Sequence, residues 1–179
     1  TFLLATDYHA AFEELLNLEY EINDEADKIN FHFLRGTAYL GMNNINNAQE
    51  EFQKVFKNDD QKLEAINKQF AKLKRSNNKS EHWAYFMSAA IPGLGQMYAH
   101  DYRNGINVFL LSSGFLALGI YTATNFNLLS ALVNVMPWWS RYHIGGMNRT
   151  KESVEKYKQS KRHNAYLKIV SLYQTSAQE

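Results

Sequence analysis

Apolar residues recur at helical spacing through the first 75 residues, and the pattern then gives way to a run without charge. In residues 7–22 the apolar positions Tyr8, Ala11, Phe12, Leu15, Leu16 and Leu18 predict a helix. The polar stretch at residues 23–27 predicts a break. A second helix is expected over 29–40, ended by Gly41 with Asn43 and Asn44. A third starts at Asn46 or Asn47 and runs to Phe56, with Ala48, Phe52, Val55 and Phe56 on one face and Gln49 exposed. A fourth, over 61–75, carries Leu63, Ile66, Phe70 and Leu73.

Residues 76–80 read as a polar linker. Residues 82–90 are apolar and aromatic and too short to span a bilayer, so they predict an interfacial or buried helix. Pro92, Gly93 and Gly95 interrupt it, and 100–104 is a polar turn. No Asp, Glu, Lys or Arg occurs from residue 104 to residue 140. Within that run, 105–124 supplies the about twenty uncharged residues that suffice for one membrane span. Asn125-Phe126-Asn127 is a tight break, and 128–139 is a shorter return arm kinked at Pro137. That arm reaches span length only by including Arg141 and His143, with Trp138, Trp139 and Tyr142 as an aromatic belt. Gly145-Gly146 is expected to bend the chain out before a last helix over 151–173.

The fold class that follows is all-α. It comprises a helical module over 1–76, a hydrophobic hairpin region over 81–147 and a basic helical tail over 148–179. With only 2 Pro and 9 Gly in 179 residues, composition favours helix. The absence of Cys excludes disulfides and thiolate metal sites. Residues 1–5 are too short for a signal-peptide core before Asp7, so no signal peptide is read there.

A net charge of +1 conceals a strong asymmetry. Acidic residues dominate up to Gln53. Basic residues dominate over 54–79 and again over 141–168, so both flanks of the apolar run are basic. Basic flanks beside a charge-free run suit a membrane hairpin whose ends both meet an anionic lipid surface.

Candidate chemistry adds little. The six His show no metal-ligand spacing, and no Gly-x-Ser-x-Gly occurs. Gly93-Leu94-Gly95 lacks the third Gly and the Lys of a phosphate loop. Glu13-Glu14 and Glu50-Glu51 read as exposed pairs, and His100-Asp101 as a solvated turn. Lipid headgroups account for Lys156, Lys158, Lys161, Arg162 and Lys168 better than nucleic acid does. The residues therefore predict no catalytic site, cofactor, metal or small-molecule substrate.

Two resemblances carry the reading further. Gly36, Tyr39, Ala48 and Phe52 stand at the small-aromatic-small-aromatic spacing of a tetratricopeptide repeat. His32, Arg35 and Asp60 replace that family's usual Trp, Leu and closing Pro. The order of this region, then Pro92-Gly93-Leu94-Gly95-Gln96-Met97-Tyr98, Gly105, the apolar hairpin and Tyr142-His143-Ile144-Gly145-Gly146, resembles a family of bacterial envelope proteins. The Pro-Gly-x-Gly-Gln-x-Tyr hairpin is also similar to TM2-type membrane hairpins. Where that pattern has a small residue and Gly after Tyr98, this chain has Ala99 and His100. The resemblance implies a non-enzymatic scaffold, anchored in a membrane of the bacterial envelope, that binds a protein partner. Phe31, Arg35 and Tyr39 are the expected partner contacts. The small residues between Gly105 and Gly119 are expected to pack the return arm or another membrane protein. In the alternative, the hairpin packs on protein inside a large envelope complex. Gln96 is expected to bond backbone or Asn107, supporting a structural bend at Pro92-Gly93.

Overall fold

The computed structural model describes residues 7–18, 22 and 24–176, and every regular element among them is a helix. The expectations for residues 1–5 and for a helix continuing through 19–21 lie outside the described residues. Contacts group the chain into two compact units: residues 1–77 with 160–179, and residues 78–159.

The first unit holds α1 (Tyr8–Leu18), α2 (Glu25–Gly41), α3 (Ile45–Val55) and α4 (Asp60–Asn77). α2 starts earlier than the polar stretch suggests. Asp24 is extended, and Glu25 and Asp27 fall in the first turn, where carboxylates suit the positive end of the helix dipole. α2 ends as Asn43 takes a left-handed φ of 63°, which Asn tolerates better than most residues. The amides of Asn43 and Asn44 then turn back to the carbonyls of Leu40 and Tyr39. The Asn44 side chain accepts from Asn47 N, capping α3.

Gly36 of α2 lies against Phe52 of α3, where an added Cβ would stand 3.1 Å from the ring. Ala48 and Phe52 are fully buried. Tyr39 is half-buried on Phe12, with ring centroids 4.8 Å apart. The core continues through Leu40, Phe56, Ile66 and Phe70, and is joined by Ala165 and Ile169 of the last helix. Tyr173 stacks on Phe33 at 4.2 Å, and Arg162 donates to the Asn43 side chain at 2.9 Å. The basic C-terminal segment thus supplies apolar contacts to a module whose own helices are short.

Ala48→Leu should cost about 1–3 kcal/mol by overpacking this crossing. Gln49 is a poor control, because it is only partly exposed and donates to Asn67 Oδ1 at 3.0 Å. Glu50 is exposed, so Glu50→Leu should leave the midpoint of thermal unfolding nearly unchanged. Equal shifts for the two variants would place the crossing elsewhere.

The second unit holds α5 (Glu81–Ala90), α6 (Leu94–Tyr98), α7 (Tyr102–Asn125), α8 (Leu128–Asn134) and the start of α9 (Met136–Ser176). Ser80, expected in the linker, caps α5 by accepting from Trp83 N. α5 buries Ala84 and Ser88 and exposes Trp83 and Phe86, at 60% and 63%. α7 ends at Asn125, and Asn127 starts α8 by accepting from Ser130 N at 2.7 Å.

The expected bend at Gly145-Gly146 is corrected: both glycines lie inside α9, which runs unbroken from Met136 to Ser176. The interruption comes earlier, at Val135, and Pro137 sits in the first turn of α9, where its missing donor is harmless. Gly146 serves a close helix approach instead. A Cβ there would stand 2.5 Å from Val108 of α7.

Candidate functional site

The Pro92–Tyr98 stretch is the tightest packing point of the second unit. Ile91 takes extended backbone, as the residue before a proline tends to, and this ends α5. Gly93 then takes a φ of 85°, which a Cβ would strain, and a Cβ there would also lie 2.0 Å from Gly105 O. Gly105 faces it across the same approach, with Met97 Cγ 2.7 Å from its own hypothetical Cβ. Gly95 lies against Ala84 O at 2.0 Å in the same measure. Three glycines thus let α5, α6 and α7 touch backbone to backbone.

Buried polar groups are paired at this point. Gln96 is fully buried; its amide donates to Gly146 O at 2.6 Å and accepts from Ser88 Oγ at 3.0 Å. Ser88 Oγ also accepts from Gly95 N and lies 3.0 Å from Thr150 Oγ1. Thr150 in turn donates to Gly146 O at 3.2 Å. Gln96 therefore bonds backbone, as expected, with Gly146 rather than Asn107 as its partner. Tyr98 carries the Lys79 ammonium 4.1 Å over its ring. His100 has a φ of 61° and stacks on Tyr157 at 5.0 Å.

Gln96→Leu keeps the volume but removes the bonds of its amide to Gly146 O and Ser88 Oγ, at about 0.5–1.5 kcal/mol each, since Thr150 still donates to Gly146 O and Gly95 N to Ser88 Oγ. Amide exchange in α6 and around Gly146 should speed up. Unchanged exchange there would mean that the bonds do not hold this turn.

Beside this knot α7 and α9 frame an open groove of about 860 Å³. Asn107 and Leu111 of α7 line it, with Arg141, Arg149, Glu152 and Lys156 of α9, and Asp101 stands at its end. Asp101 accepts from Asn104 at 2.9 Å and from Ser153 at 2.8 Å. Burial opposes its charge, but these bonds outweigh it and hold its carboxyl below the usual range. Glu152 pairs with Lys156 at 2.7 Å.

The apolar run lies outside any core. Of the most apolar 18-residue window of α7 only 6% is buried, and Leu110, Ile120, Leu129 and Val133 are more than half exposed. Some polar side chains on α7 and α8 turn back on their own helices, while the buried Ser112 hydroxyl has no partner among the described residues. Thr122 donates to Leu118 O, Thr124 to Ile120 O and Asn134 to Ser130 O. Trp138 is 51% exposed, while Trp139 stacks on His143 at 4.9 Å.

In the first unit the expected partner contacts Phe31, Arg35 and Tyr39 all lie on α2. Phe31 is buried, with the Arg35 guanidinium 4.6 Å from its ring centre. Glu51, read from sequence as exposed, is 5% exposed and is corrected here to a buried anchor. Arg35, His32 and Lys54 surround it: Arg35 Nε at 3.0 Å, His32 Nδ1 at 2.7 Å and Lys54 Nζ at 2.9 Å. Burial would raise its carboxyl pKa, yet the bonds from Arg35, Lys54 and His32 together hold it below the ordinary value. No sequence signal marks this cluster, since two of the three side chains around Glu51, Arg35 and His32, come from the preceding helix. Among the described residues no group of three or more His, Asp or Glu could hold a metal ion.

No protein-family model, curated protein or solved structure matches the chain.

Proposed function

We propose that the chain is a non-enzymatic, membrane-anchored scaffold of the bacterial envelope. On this reading α7 and α8, with the first turns of α9, enter the bilayer as a hairpin. The tetratricopeptide-like first unit stays outside and binds a protein partner. The observation that carries the reading is α7 itself, which is 24 residues long, with a mean hydropathy of 1.6 in a window almost wholly exposed. At about 1.5 Å per residue it reaches roughly 36 Å, enough for a hydrocarbon core of about 30 Å. Near its end, Thr122 and Thr124 return their hydroxyls to carbonyls of the same helix, as suits lipid. The exposed Trp83 and Phe86 of α5 suit an interfacial position beside it.

A cover of protein would satisfy the same apolar surface, which is the reading of a subunit in a larger complex. Gly114 favours it locally, since no atom lies within 4 Å of where its Cβ would be, leaving room for a close-packed neighbouring helix.

Alkaline carbonate extraction of membranes bearing the full chain tests the proposal. Retention with the lipid fraction is expected. Release into the soluble fraction would contradict insertion and leave the subunit reading.

A further inference from the structure

The groove between α7 and α9 has a charge pattern that packing does not use. Its two carboxylates are already engaged, Asp101 by Asn104 and Ser153 and Glu152 by Lys156. Arg141 has no hydrogen-bond or carboxylate partner among the described residues. Arg149, two turns on, has only the electrostatic influence of Glu152, whose hydrogen bond goes to Lys156. The unbalanced charge of the groove is therefore positive and lies at the Arg141 end.

That end is also the apolar end. Tyr142 stacks on Phe115 at 5.2 Å, and Gly146 lies against Val108, so Arg141 stands beside the turns of α7 that carry Leu111 and Phe115. Leu111 lines the groove and is 46% exposed. It lies eight residues past Arg103, or roughly 12 Å further along the helix. An exposed arginine beside an apolar wall, this far along α7 from its charged start, reaches back toward the bilayer surface and is favoured there by an anion. The groove volume of about 860 Å³ falls within the ~300–1,000 Å³ of ordinary ligand sites.

We infer that this groove seats the headgroup of an anionic phospholipid. The phosphate accepts from Arg141, within the field of Arg149, and Asn107 offers a further polar contact. An acyl chain runs along the exposed face of α7 past Leu111. A guanidinium is suited to this role because its fork of donors matches phosphate oxygens. The apolar wall is what selects a lipid over a free phosphate. This inference rests on the membrane-anchored reading above.

The test uses the full chain in phosphatidylcholine nanodiscs containing a minor share of phosphatidylglycerol, with retained lipid read by native mass spectrometry. The wild type should retain phosphatidylglycerol in preference to phosphatidylcholine. The double change Arg141→Gln with Arg149→Gln should lower that preference roughly tenfold. Lys151→Gln, an exposed change on the same helix outside the groove, should leave it intact. Arg141→Lys, which keeps the charge but not the fork, should fall between, and circular dichroism should show unchanged helix in every variant. Equal retention by wild type and double variant would overturn the site. So would displacement of the lipid by glycerol 3-phosphate at matching concentration, which would make the ligand a free phosphate. A chain that enters the discs without any phosphatidylglycerol preference refutes only this inference. A chain that fails to enter them refutes the membrane reading on which it rests.

Discussion

Glu51→Leu should destabilise the first unit by about 3 kcal/mol, toward the lower end of what breaking a buried ion pair costs. The change removes the Glu51 carboxylate that Arg35, Lys54 and His32 contact in the buried cluster. Arg35 cannot escape easily, since its side chain is only 12% exposed and stacks on the buried Phe31. Lys54 is 49% exposed and can turn to water, which keeps the cost from reaching the top of the range. The pH dependence has a definite sign. The folded-state pKa of Glu51 is depressed, so its stabilisation is fully present above the ordinary glutamate range. It is lost as the pH falls through the depressed folded-state value. Urea unfolding followed from neutral to acid pH should therefore show a drop for the wild type that is smaller for Glu51→Gln. Parallel acid profiles for the two proteins would mean that Glu51 carries no such linkage.

Gly95→Ala should be among the most damaging single methyls in the second unit. Its Cβ would stand 2.0 Å from a backbone carbonyl, Ala84 O, and 2.6 Å from Ser88 Oγ. A carbonyl in a helix cannot swing aside as a flexible side chain can, so α5 and α6 must separate. Overpacking alone costs about 1–3 kcal/mol, occasionally more. Separation also opens the bonds among Ser88, Gln96 and Thr150, each group left unsatisfied adding about 1–3 kcal/mol. Loss of protection in α5 and α6, measured by hydrogen exchange in detergent micelles, is the expected result. Gly145→Ala is the control, because nothing lies within 4 Å of its Cβ position and Ala is the better helix former. Similar exchange in the two variants would remove the close approach from the account.

What could be read from the sequence was whatever depends on neighbours along the chain. The break at Asn125–Asn127 was legible because Asn127 caps the next helix locally. The turn at Pro92-Gly93 was legible because proline and glycine act on their own dihedrals. That the second and third helices pack on each other was legible because the two are consecutive. Glu51 was misread because its burial depends on Arg35 and His32 of the preceding helix, which periodicity does not register. Gly145-Gly146 was misread because a glycine pair marks a bend and a close helix contact equally well, and only Val108 decides between them. The pairing of Ser88 with Thr150 and the docking of Ala165 and Ile169 join residues far apart in sequence, and no local pattern announces either.

Central to the account is a hairpin whose two basic flanks lie on one side of a membrane, with the turn at Phe126 across it. Single cysteines at Lys79, Phe126 and Lys151, introduced into the naturally cysteine-free chain, test this most directly when labelled with an impermeant maleimide on sealed vesicles. Lys79→Cys and Lys151→Cys should label from the same face, with Phe126→Cys protected from that face. Labelling of Lys79→Cys and Lys151→Cys from opposite faces, or free labelling of all three from one, would contradict the hairpin.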